Sequence, residues 1–237
     1  DEGPLGKLPK AALYCGFDPA RFAGDSHGAR QSLLTELDWP SVSRVVLFAG
    51  RIDQSPDPDH PQAHKNSGFA VDVAIAAAKN DPKIRMILAG NPSDATPELE
   101  ARIASAGLAG RIRFLGVRRD IESLMMASDL LFFPSRGKGL GMVAVEAQAA
   151  GLPVLMSTAV PEESVVIPEL VTRKDLKEGA AAWARTLGDL LAAEKPVSAA
   201  EANRRVDASP FSLRNSAGNL YQLYTKGLLP EATKTIA

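Results

Sequence analysis

FPSRGKGLGMVAVEAQAAGLPVL, residues 133–155, decides how the rest of the chain is read. An apolar run ends in Phe-Pro-Ser, and a loop follows with glycines at 137, 139 and 141. Next comes a short stretch of alanine and valine that carries one carboxylate, Glu146. Gly151, with proline shortly after it, ends that stretch as a helix is ended, and LPVLMST then starts a second apolar run. Strand, glycine turn, helix and strand in this order form the repeating unit of a parallel sheet.

Outward from this unit the pattern recurs. VVLFAG (45–50), IRMILAG (84–90), RIRFLG (111–116) and DLLFFPS (129–135) are short and nearly continuous in apolar character, as are strands covered on both faces. Helical periodicity separates them at 67–80, 97–107, 120–128 and 141–151. The second of these segments starts at Thr96-Pro97 and stops near Gly107. The alternation predicts an α/β fold, a Rossmann-like doubly wound parallel sheet. Ligands in such sheets bind at the carboxyl ends of the strands. Here those ends are Gly50-Arg51, Gly90-Asn91, Gly116-Val117, Pro134-Ser135 and Ser157-Thr158. Past Pro168 the periodicity weakens, with helices expected at 180–194 and at 209–228, the latter capped near Ser212, and a frayed PEATKTIA tail. The expected organisation is a Rossmann-like domain over 1–195 and a helical extension over 196–237 that packs back on it.

Composition narrows the function. With 27 basic and 28 acidic side chains among 237 residues, a net charge of −1 offers no general attraction to nucleic acid or to anionic membranes. Aromatic residues, at 5%, are too few for base-stacking platforms. Cys15 has no second cysteine to pair with, which suits a reducing compartment. No apolar run approaches the ~18–20 residues of a membrane span, and DEGPLGKLPK lacks the pattern of a signal peptide. A cytoplasmic protein is expected, and the missing initiator methionine suits a processed product or a fragment.

Several residues could carry chemistry. The glycine loop before a helix near Met142 would let a phosphate approach the free N–H groups of the first turn, or it is an ordinary strand–helix turn. Glu146 on an apolar helix needs a partner, which is either the hydroxyls of a ligand or an arginine at the rim. Arg51 at the mouth of the first strand and Lys65 before the next helix could together neutralise a diphosphate, although each taken singly suits a solvated surface charge. Asp57, Asp59, His60 and His64 are metal-ligand types, but their irregular spacing among prolines argues against a metal site. No hydrolytic triad suggests itself.

In this order the pieces resemble the C-terminal, nucleotide-sugar-binding half of the GT-B glycosyltransferases, specifically the retaining family GT4. The resemblance runs through ALYCGFDPARF (12–22), VVLFAGRID (45–53), HKN (64–66), IRMILAGN (84–91), RIRFLGVRRDIESLMMASDLLFFPS (111–135) and GLGMVAVEAQAAGLPVLMST (139–158). It implies that Arg51 and Lys65 contact the donor diphosphate, and that the backbone of Gly139, Leu140, Gly141 and Met142 cradles the distal phosphate. It also implies that Glu146 binds ribose hydroxyls and that the edge at Val117 and Arg118 holds the nucleobase. The donor would be a UDP- or GDP-hexose, with no metal and no further cofactor. An N-terminal acceptor-binding domain would complete the enzyme, and any peripheral membrane association would come through that domain. The sequence departs from the family at Lys138, where the E-x7-E motif has its first glutamate and this chain reads K-x7-E. An ammonium only donates hydrogen bonds, so the contact to the donor sugar would be altered or lost. That leaves three possibilities: a changed donor, a disabled transferase that binds nucleotide without turnover, or an introduced substitution. A sugar-nucleotide epimerase of the same fold fits less well, because its catalytic acids and histidines have no counterpart here.

Overall fold

In β1 (Arg44–Ala49) the four inner residues are buried, and alternate side chains enter two different cores. Val45 and Leu47 point to one face of the sheet, Val46 and Phe48 to the other. This period of two, with both faces covered, is why the strands read as unbroken apolar runs. The computed structural model describes residues 12–137 and 139–226. The PEATKTIA tail and Lys138 lie outside the described residues.

Besides β1 the sheet contains β2 (Ile84–Ala89), β3 (Ile112–Gly116), β4 (Leu130–Phe133), β5 (Val154–Ser157) and β6 (Val171–Lys174). All pairings are parallel, in the order β3-β2-β1-β4-β5-β6. On one face lie α1 (Ser26–Leu37), α4 (Ile121–Ala127), α5 (Met142–Ala149) and α7 (Ala199–Asp207). On the other lie α2 (Ser67–Asn80), α3 (Thr96–Ser105) and α6 (Gly179–Ala192). The second core centres on Trp183, fully buried, whose ring meets Phe69 and Phe132 edge-on with centroids 5.6 Å apart. Its indole N–H donates to the carbonyl of Asp175 at 2.9 Å, so the polar atom of a buried side chain is satisfied. The last helix, α8 (Leu213–Lys226), buries none of its residues and joins the body where Leu213 N–H donates to Phe17 O at 2.7 Å.

The chain thus has the doubly wound α/β fold that the alternation of runs predicts. Gly107 and Gly151, at φ 72° and 66°, lie just past α3 and α5. Thr96 is the first residue of α3, and its Oγ1 accepts from Ser93 N–H at 2.9 Å. Three elements lie outside the sequence expectations: α1, β6 and α7.

The strand order fixes where a ligand can enter. Connections from β1 lead away toward β2, while β4 starts the march in the opposite direction, so the crossovers part between β1 and β4. The crevice beyond the carboxyl ends of those strands is the binding position of open α/β sheets. Arg51 follows β1, and the glycine loop follows β4.

Candidate nucleotide site at the β1/β4 switch point

The connection from β1 to α2 occupies residues 50–66, far longer than the ~2–6 residues usual between strand and helix. Asp53 organises it. Its carboxylate, only 3% exposed, accepts the backbone N–H of Lys65 at 3.0 Å and of Ser67 at 2.9 Å, and its own N–H donates to Ser67 Oγ at 3.0 Å. Asn66, the N-cap of α2, makes no capping bond with its side chain, so Asp53 caps the helix from the β1 side. The residue two places after Arg51 therefore sets where Lys65 leaves the backbone.

A second set of bonds fastens the same segment to the loop after β4. The carbonyl of His64 accepts from Ser135 Oγ at 2.7 Å, from Arg136 N–H at 2.8 Å and from Gly137 N–H at 3.2 Å. The Lys65 ammonium stands 5.7 Å from the centre of the Phe133 ring, within cation–π range, while its stem passes Gly50. The lysine thus bridges the ends of β1 and β4 across the switch point. Arg51 is exposed at the same edge. Among the described residues neither cation makes an ion pair, so both charges are free to meet an anion.

Facing them is the start of α5. Gly141 is its N-cap at φ 81°, where no side chain among the described residues supplies a capping bond. A Cβ there would stand 2.9 Å from Val160 Cγ1 and 3.2 Å from Phe133 Cε1, so glycine is required by conformation and by space. The N-terminus of α5 thereby presents uncapped N–H groups and the positive end of the helix dipole. Gly139, Leu140 and Met142 accompany Gly141 at this end.

Glu146 lies one turn further along α5, half-buried, and no described residue hydrogen-bonds its carboxylate. Burial pushes its pKa up, and the nearby Arg21 charge partly opposes the rise. The sequence left two partners open, and the structure places an arginine near the carboxylate while leaving its acceptors unfilled. Sequence reasoning singled out Glu146 as the lone acid of this helix and passed over Gln148. That side chain is fully buried and all four of its hydrogen bonds are made. Nε2 donates to Ala144 O and Ser164 O, both at 2.8 Å, and Oε1 accepts from Val166 N–H at 2.9 Å and Ile167 N–H at 2.7 Å. It locks the loop after β5 against α5.

Beyond the ends of β1 and β2 opens a crevice of about 340 Å³, lined also by Arg51, Val117, Arg118, Ile121 and Val143. Its base is backbone: a Cβ on Gly90 would come within 2.0 Å of Gly50 O. Val117 is 64% exposed and offers an apolar face. The Arg118 guanidinium is already held by Asp120 at 2.7 Å and by Glu36 at 2.5 Å, which raises its pKa and lowers that of Asp120. Val143 lines the crevice and Glu146 follows three residues later on the same helix face. The fold therefore brings Arg51, Lys65, Gly139–Met142, Glu146, Val117 and Arg118 to one edge, while Lys138 falls outside the described residues. The Asp57, Asp59, His60 and His64 segment forms no metal-binding cluster among the described residues.

A parallel sheet in this order, with two cations unpaired among the described residues and a glycine-capped helix at its switch point, defines a Rossmann-like α/β domain with an edge suited to an anion. The chain belongs to the group 1 glycosyltransferases, a family that matches residues 43–192. It is 32% identical to the D-inositol 3-phosphate glycosyltransferase of Salinispora tropica, a match covering 92% of this chain and 46% of that protein. The chain thus spans about half the length of the curated relatives it matches. Among solved GT-B structures, Anabaena HepE in complex with UDP-glucose superposes with a TM-score of 0.68 at 26% identity, covering 90% of this chain and 56% of that one. The C-terminal domain of a group 1 glycosyl transferase (LpcC) from Francisella tularensis shares the fold, with a TM-score of 0.65 at 22% identity over 84% of this chain and all of that domain.

Proposed function

We propose that this chain is the donor-binding domain of a retaining glycosyltransferase, which moves a hexose from a nucleoside-diphosphate sugar to a glycan or lipid-linked acceptor. An acceptor-binding domain of the same polypeptide would form the other wall of the cleft, and the enzyme works on the cytoplasmic side of the membrane. The observation that carries the reading is the convergence at the switch point of Lys65, whose stem passes Gly50 beside Arg51, and the N-terminus of α5, both packed about the Phe133 ring. When the bond between the sugar's anomeric carbon and the diphosphate breaks, negative charge grows on the departing phosphate. Two cations and a helix N-terminus stabilise that charge more than they stabilise the intact donor, so they lower the barrier. Glu146 accepts from the ribose hydroxyls, and the crevice beside Val117 takes the base. Titration calorimetry with UDP and GDP tests this. One site is expected, weakened ~10-fold or more by Arg51→Ala or Glu146→Ala, since a charge-assisted contact contributes ~1.5–3 kcal/mol. Binding that survives both substitutions would refute the assignment.

Lys138 favours a second reading, in which the domain binds nucleotide without supporting transfer. In the whole polypeptide, Lys138→Glu separates the two. Transfer that appears only in the glutamate form identifies the lysine as disabling, and transfer already present with lysine removes the second reading.

A further inference from the structure

Asn66 stands at φ 60° and ψ 44°, in the left-handed region. The other described residue with positive φ that is not glycine is Asp38, the C-cap of α1, where that conformation is ordinary. At an N-cap it is unusual, because the residue there is normally extended. Of the helices whose N-caps are described, only α2 and α5 start from a left-handed residue, Asn66 and Gly141, and these two helices frame the switch point. The side chain of Asn66 does not explain the choice of residue. It is 2% exposed, makes no capping bond, and its buried Oδ1 has no partner among the described residues. Asparagine is, however, one of the few side chains that tolerate this backbone conformation. Such a conformation persists only where the surroundings enforce it. On one side three donors hold the carbonyl of His64, and Asp53 holds the Lys65 N–H. On the other, Asn66 O accepts Ala70 N–H at 2.9 Å and so starts α2. A Cβ on Gly68 would come within 2.0 Å of Pro56 O, so the first turn of α2 lies against the loop with no room to shift. With both flanks fixed, the turn at Asn66 sets how Lys65 leaves the backbone.

We propose that Asn66 is a positioning residue of the nucleotide site: its left-handed backbone turns the chain between the anchored loop and α2 so that the Lys65 ammonium is held at the ends of β1 and β4, beside Gly50 and the Phe133 ring. The proposal rests on the nucleotide-binding reading above. Asn66 does not touch the nucleotide; it acts through Lys65. A residue that resists positive φ relieves its strain by rotating the peptide that joins it to Lys65 or by pulling on the bonds to Asp53, and either change moves the ammonium. Because conformation carries the role, glycine should serve as well as asparagine, and alanine should not.

Calorimetric titration with UDP, well below each melting transition, tests it on the wild type, Lys65→Ala, Asn66→Ala, Asn66→Gly and the protein carrying Lys65→Ala and Asn66→Ala together. Lys65→Ala is expected to weaken UDP ~10-fold. Asn66→Ala should weaken it roughly fivefold, whereas Asn66→Gly should stay within about twofold of the wild type. The double substitution should bind no more weakly than Lys65→Ala alone, because the turn then has no ammonium to aim. Asn66→Ser, with the same expectations as Asn66→Ala, takes its place if the alanine form does not fold. Full affinity in Asn66→Ala overturns the proposal and leaves the role of Lys65 standing. So does an Asn66→Gly protein as weak as Asn66→Ala, which puts the role in the side chain. Additive losses in the double substitution also overturn it, since they mark an effect independent of Lys65. A Lys65→Ala protein that binds UDP as the wild type does overturns the diphosphate reading of Lys65 and this proposal with it.

Discussion

Replacing Asp53 by alanine tests whether the site is held by one buried carboxylate. The substitution removes the acceptor of two backbone N–H groups, Lys65 at 3.0 Å and Ser67 at 2.9 Å, in a place only 3% exposed, where water cannot take over. Each charge-assisted bond contributes ~1.5–3 kcal/mol, and part of that is offset because an ion no longer has to be buried. The expected loss is ~3 kcal/mol, which lowers the melting temperature by ~6–12 °C in a domain of this size. Asp53→Asn keeps one acceptor but turns an amide toward the other N–H, so it should lose more than half as much. Urea unfolding gives the free energy, and UDP calorimetry well below the transition shows whether Lys65 has lost its place, with an affinity drop of ~5-fold expected. An Asp53→Ala protein melting within about 2 °C of the wild type would refute the argument.

Gly141→Ala forces φ 81° on a residue with a Cβ placed 2.9 Å from Val160 Cγ1; a destabilisation of ~2–4 kcal/mol is expected by denaturant unfolding, with weakened UDP binding. Gln148→Leu strands the N–H groups of Val166 and Ile167 and the carbonyl of Ser164, and unfolding should show a loss of ~3–5 kcal/mol despite the similar volume. Burial raises the Glu146 pKa in the folded state, so its carboxyl takes up a proton more readily there than in the unfolded chain. Its contribution is therefore most favourable below the ordinary glutamate value and is lost as pH rises through the raised folded value. Measured against pH across that window, the unfolding free energy of Glu146→Gln should gain on the wild type as pH rises.

The sheet was legible because its strands are buried on both faces and so appear as uninterrupted apolar runs. β6 escaped for the opposite reason: Val171–Lys174 is a half-buried edge strand, and Thr-Arg-Lys carries no apolar signal. In α1 only Leu33, Leu34 and Leu37 are buried, all in the last turn, so its first two turns read as loop. A signal for α7 was present in Ser198-Ala-Ala-Glu201, where Ser198 Oγ accepts Glu201 N–H at 3.3 Å, the first half of a capping box. At the site, Arg51, Lys65 and Glu146 stood out because a charge beside apolar sequence is visible on the page. Asp53 and Gln148 did not stand out, since their importance lies in partners that only folding brings near: backbone N–H groups 12 and 14 residues away, and a loop after the next strand.

A crystal structure of the protein with UDP tests the central claim most directly. The diphosphate is expected between Lys65 Nζ, the Arg51 guanidinium and the first N–H groups of α5, with the ribose hydroxyls donating to Glu146 and the base beside Val117. A nucleotide bound away from the β1/β4 switch point, or one at that point whose ribose leaves Glu146 untouched, would contradict it.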